Sequence, residues 1–214
     1  MSYLVNFVIL CLSYLYGSFS TARIVTKSFR SLDIYKVGTG LADTENIYTN
    51  ISKPMGVLVG ALDAAKAYLF LLVVEMLLRL IDHTGAIRGI APLLQPYILL
   101  LYGVGMLIGH CLPFTNNFRG GRGIFTYMGF VAYFIFYPTL ITAFIAWILV
   151  IRFHQIRFSQ YLIVILPVVL YQILYPIIPA FRKELPPYFV AIMLGVAVLM
   201  AVLNIIVSKK LGEI

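Results

Sequence analysis

The sequence predicts an all-α integral membrane protein of about seven transmembrane helices, with the N-terminus outside and the C-terminus cytoplasmic. Three observations predict it. The 214 residues are 62% hydrophobic and 11% charged, with a mean hydropathy of +0.97, where a soluble domain is about 25% charged. Apolar runs long enough to cross a bilayer, about 20 residues each, recur along the chain. The basic residues stand singly in the short breaks between those runs, as they do in cytoplasmic loops. A disordered tail, a collagen and a soluble enzyme are excluded, and residues 1–214 read as one polytopic membrane domain. The net charge of +8 is assigned to an anionic leaflet rather than to nucleic acid. The 15 Tyr and 15 Phe read as interface belts and core, not as a base-stacking platform.

The first apolar run, residues 4–25, carries no charge before Arg23. No basic segment precedes it, so Ser20-Thr21-Ala22 is not taken as a signal-peptide cleavage site. Residues 27–54 form the longest polar stretch, and a loop of that length is usually functional. Residues 55–80 and 96–114 are the second and third spans. The run 124–150 is ambiguous: its 27 residues exceed one untilted span and fall short of two. Pro138, near its middle, lacks a backbone donor, so either two short helices turn there or one long helix kinks. Residues 161–181, with Pro167 inside, and 188–207 complete the set.

Seven passes place Lys27, Arg30, Lys36, Lys53, Arg119, Arg122, Arg152, Arg157, Lys209 and Lys210 on one side, against Arg88, Arg182 and Lys183. Six passes divide the same residues eight against five, so the positive-inside rule favours seven. Cys11 and Cys111 lie in apolar runs without a CxxC spacing and predict neither a disulfide nor a zinc site. No internal repeat and no paired broken helices point to a transporter.

The richest segment is Asn116-Asn117-Phe118-Arg119-Gly120-Gly121-Arg122-Gly123. Its glycines let backbone N–H groups approach an anion, and Arg119 and Arg122 offer fork-shaped donors suited to phosphate. A helix starts at Ile124 by pattern, so the loop also meets a helix N-terminus. A positive-inside turn made tight by glycine is the alternative; the spacing is not that of a Walker loop. Just upstream, His110 sits near a span end, either a site residue or a helix-packing hydrogen bond. No histidine has an aspartate five residues on, so the His-x4-Asp acyltransferase arrangement is absent. Gly38-Thr39-Gly40 marks a turn. Asp63 and Lys66, three apart, share a helix face and read as a pair within the bundle.

In order, these segments resemble the bacterial acyl-phosphate:glycerol-3-phosphate acyltransferases of the PlsY type. Tyr16-Gly17-Ser18-Phe19-Ser20 is similar to that family's Gly-Ser-Ile-Pro/Ser segment. Val37-Gly38-Thr39-Gly40 through Asn46 is similar to its Gly-Ser-Gly-Asn-x-Gly-Ala-Thr-Asn loop. Asp63 and Lys66 fit its Asp-x-x-Lys helix, and Gly109-His110 through Gly123 fit its Gly-His-x-x-Pro and Lys-Gly-Gly-Lys-Gly signature. Asn204-Ile205 and Gly212-Glu213 fit its tail.

The resemblance implies a seven-helix fold in the bacterial inner membrane with a site facing the cytoplasm. It implies transfer of an acyl group from acyl-phosphate to glycerol 3-phosphate, with no metal or cofactor and with membrane lipids as surroundings; it names no protein partner. Ser18 and His110 take the catalytic roles. Gly38, Thr39, Gly40, Asn46, Arg119, Gly120, Gly121, Arg122, Gly123 and Asn204 take the substrate. Where the family carries Asn, Gly, Thr and a closing Arg, this chain has Leu41, Asp43, Glu45 and Thr49, and Ala201 stands at its tail histidine. Two carboxylates near a phosphate cost on the order of 4 kcal/mol each at 4 Å. Asp43 and Glu45 are therefore expected to point away or to pair with Lys36 or Lys53.

Overall fold

A computed structural model describes residues 2–178 and 184–211. The first span is shorter than its apolar run: α1 (Ser2–Gly17) ends at a turn, and α2 (Thr21–Arg30) restarts under a Ser20 cap whose side chain accepts from the Arg23 amide. Its buried face is Ala22, Val25 and Thr26, while Lys27 and Arg30 are exposed, the division of an interfacial helix. The long polar stretch contains α3 (Thr44–Asn50), capped by Asp43.

Next comes α4 (Lys53–Thr84). At 1.5 Å per residue it is about 48 Å long, beyond the roughly 30 Å hydrocarbon layer. Its first turns lie against α3, where Gly56 meets Tyr48. After α5 (Pro96–Cys111) and the glycine-rich loop come α6 (Ile124–Phe134) and α7 (Phe136–Phe153). The ambiguous run is thus two helices, and the break falls at Ile135 rather than Pro138. Pro138 is the third residue of α7, where its missing N–H has no helical partner to lose. The last two are α8 (Ile156–Ile177), which keeps Pro167 inside, and α9 (Phe189–Leu211). The final Gly212-Glu213 resemblance lies outside the described residues.

Among the described residues six helices, counting α1 with α2, are long and apolar enough to cross a membrane; the 11-residue α6 is the shorter seventh. One end of the bundle joins the starts of α4, α6 and α8 to the ends of α5, α7 and α9. There Phe125 shares a cavity with Val150 and Ile156, and Asn204 reaches the Arg122 carbonyl. The opposite end brings Arg79, Gln95, Phe134 and Glu184 together. Outward side chains are apolar on every long helix, Phe7, Leu77, Phe144, Ile173 and Val198 among them, as lipid contact requires.

Small residues set the helix spacing. Ser13 and Gly17 of α1 face Gly105, Met106 and Gly109 of α5, and a Cβ at Gly129 would collide with the Ala64 carbonyl of α4. Gly129→Ala is expected to lower stability by about 1–3 kcal/mol through overpacking. The thermal midpoint of the purified protein checks it, and an unchanged midpoint contradicts so close an α4–α6 approach.

Candidate active site

The end of α5 meets the third turn of α4. Lys66 Nζ lies 3.3 Å from Asp63 Oδ1, an ion pair with both side chains buried. The same ammonium donates to the Phe19 carbonyl at 2.8 Å and stands 3.5 Å from His110 Nδ1; Thr21 Oγ1 donates to Asp63. The expected Asp63–Lys66 pair is there, and it also fixes the turn between α1 and α2 and the imidazole. Because the ammonium can only donate, His110 Nδ1 is assigned as acceptor and Nε2 as the protonated nitrogen. Nε2 faces Gly121, where a Cβ would stand 3.0 Å away.

The glycine loop folds back over that histidine. The Gly121 amide donates to the His110 carbonyl at 3.3 Å, and a Cβ at Gly120 would clash with the same carbonyl. Gly123 starts α6 in the left-handed region, φ 75°, with no side-chain cap. The first amides of α6 are therefore left to a ligand or water. This loop presents Arg122 inward, buried, and Arg119 outward to the surface. Of the two expected arginines only Arg122 belongs to the interior site.

The expected partners of the two carboxylates are corrected. Lys36 pairs with Asp33 and Lys53 lies over Tyr48. Asp43 and Glu45 instead converge on Arg122, whose Nη1 is 3.3 Å from Asp43 Oδ2 and 2.9 Å from Glu45 Oε2. Glu45 also receives Gln160 Nε2 at 2.7 Å and pairs with Arg157 Nε at 3.3 Å. Burial raises the Asp43 carboxyl above its ordinary value; Arg122 opposes the rise and Glu45 adds to it. A raised carboxyl holds its proton more firmly in the folded chain than in the unfolded one. Its contribution to stability therefore falls as pH climbs from 3.8 toward the raised value. Asp43→Asn, which keeps a capping side chain for α3, is expected to flatten that fall, as midpoints measured across the interval will show.

The facing loop is held from within. Asn46 Nδ2 donates to the Val37 and Leu41 carbonyls, both at 2.9 Å, and its Oδ1 accepts from the Thr39 amide and from Asn50. All four bonds of the amide are spent, so Asn46 is a positioning residue for Gly38, Thr39 and Gly40. Gly38 needs its left-handed φ of 56° there. The Thr39 hydroxyl accepts from the Leu41 amide. Ser18 donates to the Tyr14 carbonyl at 2.9 Å, and its own carbonyl accepts from Thr115; it braces the α5 end rather than touching His110.

Three cavities meet around Gln160. A pocket of about 20 Å³ lies between Asp43, His110 and Arg122, room for about one water. An apolar cavity of about 190 Å³ runs past Phe125, Trp147 and Ile163. A third, about 420 Å³, is bounded by Arg122, Asn204 and Ala201 and opens between exposed residues of α8 and α9. Asn204 donates to the Met200 carbonyl at 2.8 Å and leaves a buried Oδ1 without a partner. Gln160 and Arg157 were not read as site residues from sequence. A glutamine immediately ahead of the apolar run 161–181 was the available signal, since polar groups near membrane depth are costly.

The chain is 29% identical over 123 residues to the glycerol-3-phosphate acyltransferase of Trichormus variabilis, a match covering 56% of this chain and 54% of that protein's length. It is 29% identical over 188 residues to that of Shouchella clausii, covering 86% of this chain and 82% of the relative. The crystal structure of PlsY (YgiH), an integral membrane glycerol 3-phosphate acyltransferase, in its glycerol 3-phosphate form, superposes with a TM-score of 0.67. That superposition covers 96% of this chain and 89% of PlsY at 20% identity, and it shows a shared fold. Residues 7–210, from within α1 almost to the end of α9, match the family described as glycerol-3-phosphate acyltransferase, and the chain belongs to that family.

Proposed function

We propose that the protein moves a fatty acyl group from acyl-phosphate to the first hydroxyl of glycerol 3-phosphate, giving lysophosphatidic acid and inorganic phosphate. The observation that carries this is Arg122: a buried guanidinium delivered by a glycine loop, beside the uncapped start of α6, on the wall of a cavity that opens between exposed apolar side chains of α8 and α9. That combination suits a phosphate attached to an alkyl chain.

The hydroxyl oxygen attacks the acyl carbonyl, the carbonyl–phosphate C–O bond breaks, and the departing phosphate takes the hydroxyl proton. Acyl-phosphate is already activated, so the residues need mainly to align the two substrates and hold developing negative charge. Arg122 and the amides of Gly121, Gly123 and the first turn of α6 receive phosphate, and the Nε2–H of His110 points at the same place. Asn204 offers its free Oδ1 to an acceptor hydroxyl. The apolar 190 Å³ cavity takes the acyl chain. Arg119, exposed on the surface, guides anions in. The site end carries Lys27, Arg30, Lys36, Lys53, Arg152 and Arg157, which supports a bacterial inner membrane with that end in the cytoplasm.

Glu45 on Arg122 supports a second reading, a non-catalytic member of the family that binds a lipid or a phosphate ligand. Donor choice tests the first. Palmitoyl-phosphate with glycerol 3-phosphate is expected to give lysophosphatidic acid, and palmitoyl-coenzyme A is expected to give none; the reverse preference overturns the assignment of the donor.

A further inference from the structure

Resting on the phosphate seat just proposed, one residue of this chain changes what that seat can accept. Glu45 Oε2 is bound by Arg122 at 2.9 Å and by Gln160 at 2.7 Å, and its Oε1 lies 3.3 Å from Arg157. The carboxylate thus sits where a ligand phosphate would have to sit. It also separates cavities: Glu45 lines the apolar one, Arg122 lines the one open to lipid, and Gln160 lines both. The Glu45 side chain is 14% exposed, whereas that of Arg157 is 56% exposed. Arg157 is therefore a cation able to follow Glu45 outward while Arg122 stays in place.

We propose that Glu45 is a specificity-determining residue, a resident carboxylate that reserves Arg122 for phosphate monoesters and keeps out the phosphodiester headgroups of the surrounding membrane. A phosphodiester carries one negative charge, so exchanging it for Glu45 gains no Coulomb attraction and loses the Gln160 hydrogen bond. A monoester carries about −1.5 to −2 at neutral pH and offers three acceptor oxygens. It replaces the carboxylate with a stronger partner, and Glu45 keeps Arg157. This is specificity by an unfavourable competitor rather than by a better fit. Glycerol 3-phosphate is a monoester and acyl-phosphate a mixed anhydride, and both end in a terminal phosphate with three free oxygens, whereas the glycerophospholipids that fill a membrane are diesters. A seat open to lipid and lacking such a competitor would be filled by its own solvent.

The test is calorimetric titration of the purified chain in a phosphate-free maltoside detergent, with inorganic phosphate and dimethyl phosphate as probes. Wild type is expected to bind inorganic phosphate at least about 30-fold more tightly than dimethyl phosphate, and Glu45→Gln is expected to tighten dimethyl phosphate by about tenfold. Glu45→Asp, which keeps the charge, is expected to hold the wild-type ratio within about threefold and guards against reading a folding defect as lost selectivity. A ratio unmoved by Glu45→Gln, or both probes weakened alike, overturns the proposal and leaves Glu45 a brace for Arg122. If neither probe binds wild type or Glu45→Gln, the phosphate seat itself is overturned, and the proposal with it. Turnover of palmitoyl-phosphate and glycerol 3-phosphate in the same preparation separates the two failures, since an active wild type with an unmoved ratio sinks only the role of Glu45.

Discussion

Arg122→Ala is expected to abolish acyl transfer, with a loss of at least about 10²–10³-fold, the effect of removing one preorganised donor from developing negative charge. A second consequence follows from the same contacts. The variant leaves Asp43 and Glu45 buried and facing each other without their shared cation, and breaking a buried pair costs about 3–5 kcal/mol. The two effects separate in a double variant. Arg122→Ala with Glu45→Gln is expected to regain much of the thermal midpoint and none of the turnover. Recovery of turnover in that variant removes Arg122 from the chemistry. Arg122→Lys is expected to fall between, since it keeps the charge and gives up the planar guanidinium whose Nη1 meets both Asp43 and Glu45.

Asp63→Ala is expected to damage the fold as much as the loss of Arg122 does. It leaves the Lys66 ammonium at membrane depth with only the Phe19 carbonyl and the His110 ring for company, and the expected loss is about 3–5 kcal/mol. Asp63→Ala combined with Lys66→Met removes both charges and is expected to restore most of the midpoint, because an apolar replacement of a buried pair is often close to neutral. Turnover separates structure from positioning here. If His110 needs its ammonium neighbour to be held as a donor, the double variant folds and still loses most of its kcat. Full activity in the double variant leaves the pair with a purely structural role.

Much of this site was legible because its determinants are local. Asp63 and Lys66 three apart on a helix can only share a face, and a helix pattern starting at Ile124 places the glycine loop at an N-terminus. The errors come from long-range contacts and from backbone conformation. Asp43 and Glu45 found Arg122 rather than Lys36 or Lys53, across 79 and 77 residues; sequence proximity favours a neighbouring lysine, and burial favours the delocalised guanidinium. Arg119 and Arg122 look equivalent in sequence, yet Asn117 and Phe118 both take left-handed conformations, φ 52° and 58°, and that double turn precedes the outward Arg119.

Asn46 was expected to face substrate and instead saturates its amide on the loop around it, which no pattern of residue types encodes. The hinge at Ile135 shows the same limit. Proline marks where a helix cannot continue undisturbed, but a first helical turn tolerates it, so the break moved three residues upstream. Ala201 and Met200 border the open cavity, and Val207 is buried. Ala201, standing at the family's tail histidine, adds apolar wall there, and Asn204 is the α9 side chain that reaches the Arg122 carbonyl.

Counting products is the most direct test of acyl transfer from acyl-phosphate. The purified chain in lipid, given palmitoyl-phosphate and glycerol 3-phosphate, is expected to form lysophosphatidic acid and inorganic phosphate in equal amounts, while Arg122→Ala with Glu45→Gln forms neither. No turnover by wild type, under conditions where the Shouchella clausii relative is active, would contradict the account and make a non-catalytic phosphate-binding membrane protein the better description.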